Sequence, residues 1–488
     1  MSQVQLSLAS IALMAAGCTM GPDYIRPDTT PIPESFRGQS VSDAGAEHLR
    51  TFGDLAWSEA FGDPVLQGLI TEGLRANYDL LIAAERVMQA RALVTITGAD
   101  QRPEVAAGAS FESSKLTENG ALAFPAGVDG KSEQWLVSGN LSWELDFWGR
   151  FARASEAARA ELLSTEHARR AVMQSLVAQI AQGYFDLLLF DAQLEITRRN
   201  LESRSKSFDL VSLRLEQGVS NKAEYYQAQG LMLDTAGRIP DLKQSITQQE
   251  NLLRFLTGAG PGPILRGEAL MDQDFEISIP IGLPSDLLER RPDVGQAEQA
   301  LVAANARIGE ARALLYPSIR LTAFGGLASE DLSDLTSGGS DIWDITPSIS
   351  LPIFNAGRLR ANVDVSESQQ REAALRYSKT LQNAFREVAD ALIGRQSRGE
   401  VRDWSEQFEA SQRGLVELSR DRYHGGVTSY LEVLDSERGH FESEINLALS
   451  VRDELLAYIL LYSALGGGWQ AAEEQVISAE ASDADSGS

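Results

Sequence analysis

Residues 135–150 read WLVSGNLSWELDFWGR, and residues 343–358 read WDITPSISLPIFNAGR. Both stretches begin with tryptophan and end with Gly-Arg, and a constant shift of 208 residues superimposes them. The same shift places Gly218-Val219 on Gly426-Val427. Because a repeat of this length exceeds the roughly 20–50 residues of solenoid units, we interpret it as a duplicated domain half. Each half is expected to build the same substructure.

The quoted stretches alternate in the manner of β-strands. In the first, apolar residues point to one face and polar residues to the other, the apolar ones being Val137, Gly139, Leu141, Trp143 and Leu145. This period predicts four strands, at about 104–114, 135–146, 318–327 and 343–354. Each has about 10 residues, enough to cross a bilayer when tilted. The alternative is two ordinary hairpins that pack on a soluble core.

Four strands are too few to close a barrel. Open strand edges in lipid would leave backbone donors and acceptors unpaired, at several kcal/mol each. If the strands cross a membrane, several chains must therefore share one barrel.

Long helices are predicted between the strand pairs, at about 149–217, 219–256, 357–424 and 428–466. At ~1.5 Å per residue, a stretch of about 65 residues reaches on the order of 100 Å, so these helices would form an extended body. Apolar residues at helical spacing in an alanine-rich context favour side-by-side coiled-coil packing, as at Ala171, Met173, Leu176, Ile180 and Leu187.

The N-terminus has the form of a signal peptide. An apolar stretch from Leu6 to Ala16 is too short to span a bilayer and runs into Gly17 and Cys18. Cys18 is the only cysteine of the chain, so it cannot form an internal disulfide. We expect it to become a lipidated mature N-terminus.

The repeat and the termini divide the chain. The segment that joins the halves is rich in glycine and proline, and the tail is acidic without apolar periodicity. The predicted parts are a signal peptide (1–17), a lipid anchor with an N-terminal extended segment (18–62), the first repeat (63–256), an inter-repeat equatorial segment (257–284), the second repeat (285–468) and an acidic flexible tail (469–488).

Composition excludes several functions. The formal net charge of -26 argues against nucleic-acid binding, which requires clustered Lys and Arg. The four histidines are scattered, there is no second cysteine, and no phosphate-binding glycine loop occurs. We therefore predict neither an enzyme nor a cofactor or metal site.

Two glycine turns interrupt the long helices, at Gly218 and at Gly426. An acid follows each turn at the same repeat position, namely Glu224 and Glu432, and Asp435 shares a helix face with Glu432. These acids could serve a site at the tips of two helical hairpins. They could equally be helix caps, because Ser429 with Glu432 has the spacing of a capping box.

Several motifs resemble the family of TolC-like and OprM-like outer-membrane factors, in particular the NodT-type outer-membrane efflux lipoproteins. They are GCTMGPDYIRP at 17–27, Trp57, FGDP at 61–64, NYDL at 77–80, and the turns DFWGR at 146–150 and FNAGR at 354–358. The resemblance covers nearly the full chain. It implies an α+β membrane protein in which duplicated β-hairpin and helical-hairpin units form a trimeric 12-stranded β-barrel continued by a periplasmic α-helical barrel. It also implies a lipid-anchored location in the outer membrane.

The resemblance further implies roles for residues at the tips. Matching positions in the family form a periplasmic aperture, here Glu432, Asp435, Glu224 and Tyr423. The surface that meets a periplasmic adaptor protein corresponds to Gly218, Val219, Gly426, Val427, Arg214 and Arg422. The implied partners are two further copies of the chain, the adaptor, an inner-membrane RND-type transporter and outer-membrane lipid.

Two alternatives remain open at this point. The channel could serve an ABC-type protein or peptide secretion system instead of an RND-type pump. The chain could also be a lipid-anchored periplasmic scaffold, which would lack an apolar band on its strands. The transported substrate is not encoded in these residues.

Overall fold

The structure is a computed structural model that describes residues 19–27, 52, 55–117, 130–273 and 290–469. The predicted signal peptide, Cys18 and the tail beyond Trp469 lie outside the described residues. The chain forms two compact units. Of the described residues, the strand unit comprises 19–27, 87–117, 130–165 and 297–377, and the helical unit comprises 52, 55–86, 166–273, 290–296 and 378–469.

The strand unit contains one four-stranded antiparallel sheet. Its strands are β1 (Glu104–Lys115), β2 (Lys131–Leu145), β3 (Ser318–Ser329) and β4 (Asp341–Ser350). The spatial order β1-β2-β3-β4 follows the chain, so the hairpins of the two repeats lie side by side. β1 and β4 form the two edges of this sheet.

The register places apolar residues in common rows across the sheet. Val105 lies opposite Leu141 on the neighbouring strand. Ala323 lies opposite Leu141 on its other side, and Ile345 lies opposite Ala323. Val105 and Ile345 are largely exposed in the single chain. The predicted apolar face is therefore present, and no core formed by the described residues of the protomer covers Val105 or Ile345.

Rows on the opposite face are mostly polar. Glu144 lies opposite Arg320, which lies opposite Ser348, and the carboxylate oxygen Oε2 of Glu144 is 3.3 Å from Nη2 of Arg320. β4 ends at Ser350 and not near residue 354 as expected, because Pro352 has no N–H to continue the ladder.

The helices repeat in length. They are α1 (Trp57–Ala60), α2 (Pro64–Ala76), α3 (Tyr78–Ala99), α4 (Arg150–Glu216), α5 (Lys222–Leu256), α6 (Pro292–Ala313), α7 (Arg358–His424) and α8 (Tyr430–Ala464). α4 and α7 have 67 residues each, and α5 and α8 have 35 each. α3 and α6, with 22 residues each, were not anticipated as helices from the sequence. Among the described residues, no helix combines the length and hydropathy needed to cross a membrane.

The core of the helical unit is built from aromatic and aliphatic side chains of α1, α2, α4, α5, α7, α8 and the turn before α2. The largest fully buried ones there include Trp57, Phe61, Leu66, Ile70, Tyr184, Phe185, Leu187 and Leu253. Burial of such side chains contributes roughly 1.5–3 kcal/mol each. The motif residues Trp57 and Phe61 therefore have a structural role in this core.

Asp63 joins α2 to this core. Its Oδ1 accepts a hydrogen bond from the backbone N–H of Val65 at 2.8 Å, which caps the helix. Its Oδ2 accepts from the hydroxyl of Tyr184 at 2.7 Å and from Nε2 of Gln273 at 3.0 Å. Burial alone would raise the pKa of Asp63, but these hydrogen bonds outweigh it and lower the pKa below its ordinary value.

Candidate functional site at the hairpin tips

The first tip joins α4 to α5. Gly218 adopts a left-handed φ of +74°, and the N–H of Val219 donates to the carbonyl oxygen of Arg214 at 2.9 Å. This geometry ends a helix and satisfies one of its last carbonyls. Asn221 then begins α5 by accepting from the backbone N–H of Glu224 at 3.0 Å. The tip is therefore a tight, fully capped turn.

The second tip joins α7 to α8 with nearly the same backbone. Gly426 has a φ of +75°, and the N–H of Val427 donates to the carbonyl oxygen of Arg422 at 2.9 Å. The capping box expected at Ser429 is wrong, because the Ser429 side chain makes no capping hydrogen bond. The hydroxyl of Thr428 instead donates to the Glu432 carboxylate. That contact keeps the carboxylate beside the start of α8.

Both tips present backbone and short apolar side chains to solvent. A Cβ atom added at Gly218 or Gly426 would meet no atom within 4 Å, so there is room for a larger residue. Glycine is favoured at both positions because the backbone has a positive φ angle there. Val219 is 65% exposed and Val427 is 73% exposed. The two tips thus form a matched pair of accessible surfaces.

The acids after the tips make equivalent contacts. The hydroxyl of Ser220 donates to Glu224 at 2.5 Å, and Thr428 makes the same contact with Glu432, 208 residues later. Glu432 also lies 3.5 Å from Nε of Arg422. These contacts hold each carboxylate next to the turn that precedes its helix.

Asp435 behaves differently from Glu432. Its side chain is 70% exposed and pairs with Arg438 at 2.8 Å, one turn along the same helix. Glu432 and Asp435 are three residues apart, as expected for one helix face, but within one protomer their carboxylates pair with different arginines. The two carboxylates of one protomer therefore belong to separate ion pairs.

The two hairpins are joined by Arg214 and Tyr423. Nη1 of Arg214 donates to the Tyr423 hydroxyl, and the guanidinium carbon lies 5.1 Å from the ring centroid. Burial raises the pKa of Tyr423, which the nearby Arg214 partly opposes. The contact brings together one residue predicted for adaptor docking and one predicted for the aperture.

An apolar cluster lies beneath the tips, which sequence reasoning did not identify. Its buried members are Val211, Ala228, Tyr430, Val433 and Leu434. Tyr430 packs against Tyr423, with ring centroids 5.3 Å apart, and burial raises its pKa to about 12. The cluster fixes the helices on which the acids and arginines are mounted. The sequence feature that could have predicted this cluster is the tyrosines that follow each turn, at 225, 226 and 430.

One group of potential metal ligands occurs among the described residues. Glu409, His440 and Glu444 offer ligand atoms within 4.8 Å of one another, and Nε2 of His440 is 3.0 Å from Glu409. Both carboxylates also bind arginines, Glu409 pairing with Arg413 and Glu444 with Arg199. From the sequence, His440 was one of four scattered histidines. Glu409 lies 31 residues before it in the chain, and Glu444 four residues after it was not recognised as a neighbour.

Residues 69–259 and 283–467 match the family model of outer membrane efflux proteins. The chain belongs to this family. It is therefore an outer-membrane efflux channel protein, a transporter. The family, fold class, outer-membrane location and efflux function expected from the sequence are confirmed.

Individual relatives match nearly the whole length of this family member. It is 38% identical to the cation efflux system protein CusC of Escherichia coli O6:H1, over 96% of this chain and 100% of CusC. It is 35% identical to the probable outer membrane lipoprotein SilC of Salmonella typhimurium, over 95% and 98% of the two chains. The crystal structure of the open state of the Neisseria gonorrhoeae MtrE outer membrane channel superimposes with a TM-score of 0.84 and 31% identity, over 93% and 99%.

Proposed function

We propose that three copies of this chain form the outer-membrane exit duct of a tripartite efflux system, served by a periplasmic adaptor and an inner-membrane RND-type transporter. The observation that carries this proposal is the open four-stranded sheet. β1 and β4 are edges within the protomer, and edges in lipid need partners. Three copies of four strands supply twelve, an even number that closes a barrel under cyclic symmetry.

The exposed apolar rows distinguish this duct from a periplasmic scaffold. Val105, Ile345 and Trp343 project into solvent in the single chain, although a scaffold would bury them against a core. A continuous apolar band on strands of this length fits contact with acyl chains.

The acids at the tips are proposed to form the periplasmic aperture. Around a three-fold axis, each copy would contribute Glu432, Asp435 and Glu224 to one mouth. Like charges held close together favour cations, disfavour anions and store repulsion that opening relieves. The contacts of Arg422 with Glu432 and of Arg214 with Tyr423 are proposed to hold the mouth closed.

The two glycine turns are proposed as the adaptor-docking surface. Gly218-Val219 and Gly426-Val427 are exposed and have the same backbone conformation. An adaptor with equivalent subunits could therefore use one recognition mode at both tips, reading exposed backbone and short side chains. Arg214 and Arg422 lie one turn behind each glycine and supply positive charge there.

Cys18 is proposed as the lipid-attachment site. It follows the apolar signal stretch, and the relative SilC is named a probable outer membrane lipoprotein. Mass spectrometry of the mature N-terminus should show an acylated Cys18, and Cys18→Ser should remove that mass. An unmodified cysteine, or a processed terminus at another residue, contradicts this assignment.

The test of the duct is single-channel recording in planar bilayers, together with mass measurement of the detergent-solubilised oligomer. A trimer with small conductance steps that grow in the Glu432→Ala, Asp435→Ala double variant supports duct and aperture. Asp403 and Glu406 are exposed acids with the same spacing on α7, so their double alanine variant is the matched control. A monomer without conductance contradicts the duct, and equal conductance of both double variants contradicts the aperture.

A further inference from the structure

A cavity lies between α4, α7 and α8 in the helical unit, lined by residues within 199–204, 413–420 and 437–444. Its volume is about 190 Å³, well above the ~30 Å³ share of one water molecule. Four arginines line it, together with His440, Asn200, Ser203, Val416 and three glutamates. The arginines are Arg199, Arg204, Arg413 and Arg420.

Three of the four arginines already hold a carboxylate. Arg199 pairs with Glu444, Arg413 with Glu409, and Arg420 with Glu437 at 2.8 Å. The fourth, Arg204, is only 3% exposed, and its Nη1 donates to the Thr235 hydroxyl. Its Nε and Nη2 have no hydrogen-bond partner among the described residues. Buried donors without partners are rare and call for a physical explanation.

The unpaired atoms form one edge of the guanidinium group. Nε and Nη2 present two parallel N–H donors, which match two oxygens of a carboxylate or phosphate. Elsewhere in this chain the same edge holds a carboxylate. Arg26 binds Glu298 through Nε at 2.7 Å and Nη2 at 2.8 Å, and Arg291 binds Asp293 at 3.0 and 2.7 Å.

The described neighbours of Arg204 leave this buried edge without a hydrogen-bond acceptor. The ring of Phe441 lies 4.9 Å from the guanidinium carbon, where it stacks on a face and does not satisfy the edge donors. Glu437 contributes charge nearby; its Oε1 accepts both hydrogen bonds from Arg420, and its Oε2 is buried and, like the edge of Arg204, has no hydrogen-bond partner among the described residues. Ser203 accepts from Arg420 at 3.1 Å, so its own proton is free to be donated.

Charge also favours a negative occupant. With three arginine–glutamate pairs neutralised, Arg204 is a buried cation without a hydrogen-bonded carboxylate, and such a charge is costly to maintain. The lining holds four arginines against three glutamates, and an anion at Arg204 would complete the fourth arginine–carboxylate pair.

We infer that this cavity binds a small oxyanion, held in a bidentate manner by Nε and Nη2 of Arg204 and assisted by the hydroxyl of Ser203. Phosphate and free carboxylates share this chemistry. The site belongs to the single chain and requires neither the barrel nor a pump, so it stands apart from the proposed duct.

Binding of inorganic phosphate to the full chain in detergent, measured by isothermal titration in low-chloride buffer, tests the inference. The wild type should bind one phosphate per protomer. Arg204→Lys keeps the charge but loses the planar edge, and should bind about tenfold more weakly or worse, the equivalent of one charge-assisted hydrogen bond. Acetate should compete with phosphate if the site accepts carboxylates.

Arg238→Lys is the matched control. Arg238 also lies over Phe441, at 5.2 Å, but it is half-exposed and pairs with Asp234. This variant should bind phosphate as the wild type does. Circular dichroism and oligomer mass establish that each variant is folded.

Three results would overturn the inference. They are absence of saturable binding by the wild type, equal affinity in Arg204→Lys, and binding that appears only in Glu437→Gln. The last result would show that Glu437 itself satisfies the edge of Arg204 in solution.

Discussion

Arg214 of the first helical hairpin donates a hydrogen bond to the hydroxyl of Tyr423 in the second and lies over its ring. The residues come from the ends of α4 and α7, so a single contact joins the last turns of these two helices. Its partners cannot separate without losing both the hydrogen bond and the cation–π contact. Movement of one tip relative to the other is therefore coupled to this pair.

Tyr423→Phe removes the hydroxyl and keeps the ring. The net loss for one such hydrogen bond is about 0.5–1.5 kcal/mol, enough to raise the open population of the aperture several-fold. Bilayer recordings should show more frequent or larger openings in this variant. Tyr226→Phe alters an exposed tyrosine near the first tip and should behave as the wild type. Identical recordings for all three proteins would show that the contact does not restrain the mouth.

Alanine at Gly426 should destabilise the second tip through backbone strain alone. The left-handed φ costs a residue with a Cβ roughly 1–2 kcal/mol, and no neighbouring atom adds a clash. Gly230 lies inside α5 with the same open space but an ordinary helical backbone, so Gly230→Ala should stabilise by up to about 1 kcal/mol. Thermal unfolding should thus move in opposite directions for the two variants. A shared direction would contradict the strain argument.

Asp63 should make stability depend on acid pH. Its folded pKa lies below the ordinary value, so its contribution is fully present above about pH 4 and is lost as pH falls through the lowered pKa. Asp63→Asn leaves a hydrogen-bonding partner unsatisfied and should cost about 1–3 kcal/mol near neutral pH. Unfolding midpoints followed from pH 7 to strongly acidic conditions should fall less steeply for the variant. Parallel curves would contradict the role of the carboxylate.

The duplicated architecture could be predicted from the sequence because it depends on local signals. Alternation of apolar and polar residues marks strands regardless of their neighbours, and the glycine turns mark helix ends. The 208-residue shift then predicts helices of equal length in the two repeats, and α4 and α7 both have 67 residues. Pro240 lies inside α5 without ending the helix, which tertiary packing can compensate.

Contacts between distant segments could not be predicted in the same way. Ser429 has the spacing of a capping residue, yet the hydroxyl of the neighbouring Thr428 donates to Glu432. Which of the two hydroxyls makes this contact depends on side-chain rotamers, which the sequence does not specify. The pairing of Arg214 with Tyr423 and the unpaired edge of Arg204 depend on how α4, α5, α7 and α8 pack. Such contacts leave no periodic pattern in the sequence from which they could be predicted.

Charge on the apolar rows of the sheet should prevent membrane insertion. Ile345 belongs to the row that begins at Val105, whereas its neighbour Thr346 points to the opposite face. A lysine at a lipid-facing strand position costs about 2–4 kcal/mol near the bilayer centre, while the lumen face tolerates it. Ile345→Lys should therefore reduce the amount of oligomer recovered from outer membranes, and Thr346→Lys should not. Because both variants add one lysine to the same strand, equal recovery would mean that this face does not contact lipid, and the strands would then have to be covered by protein.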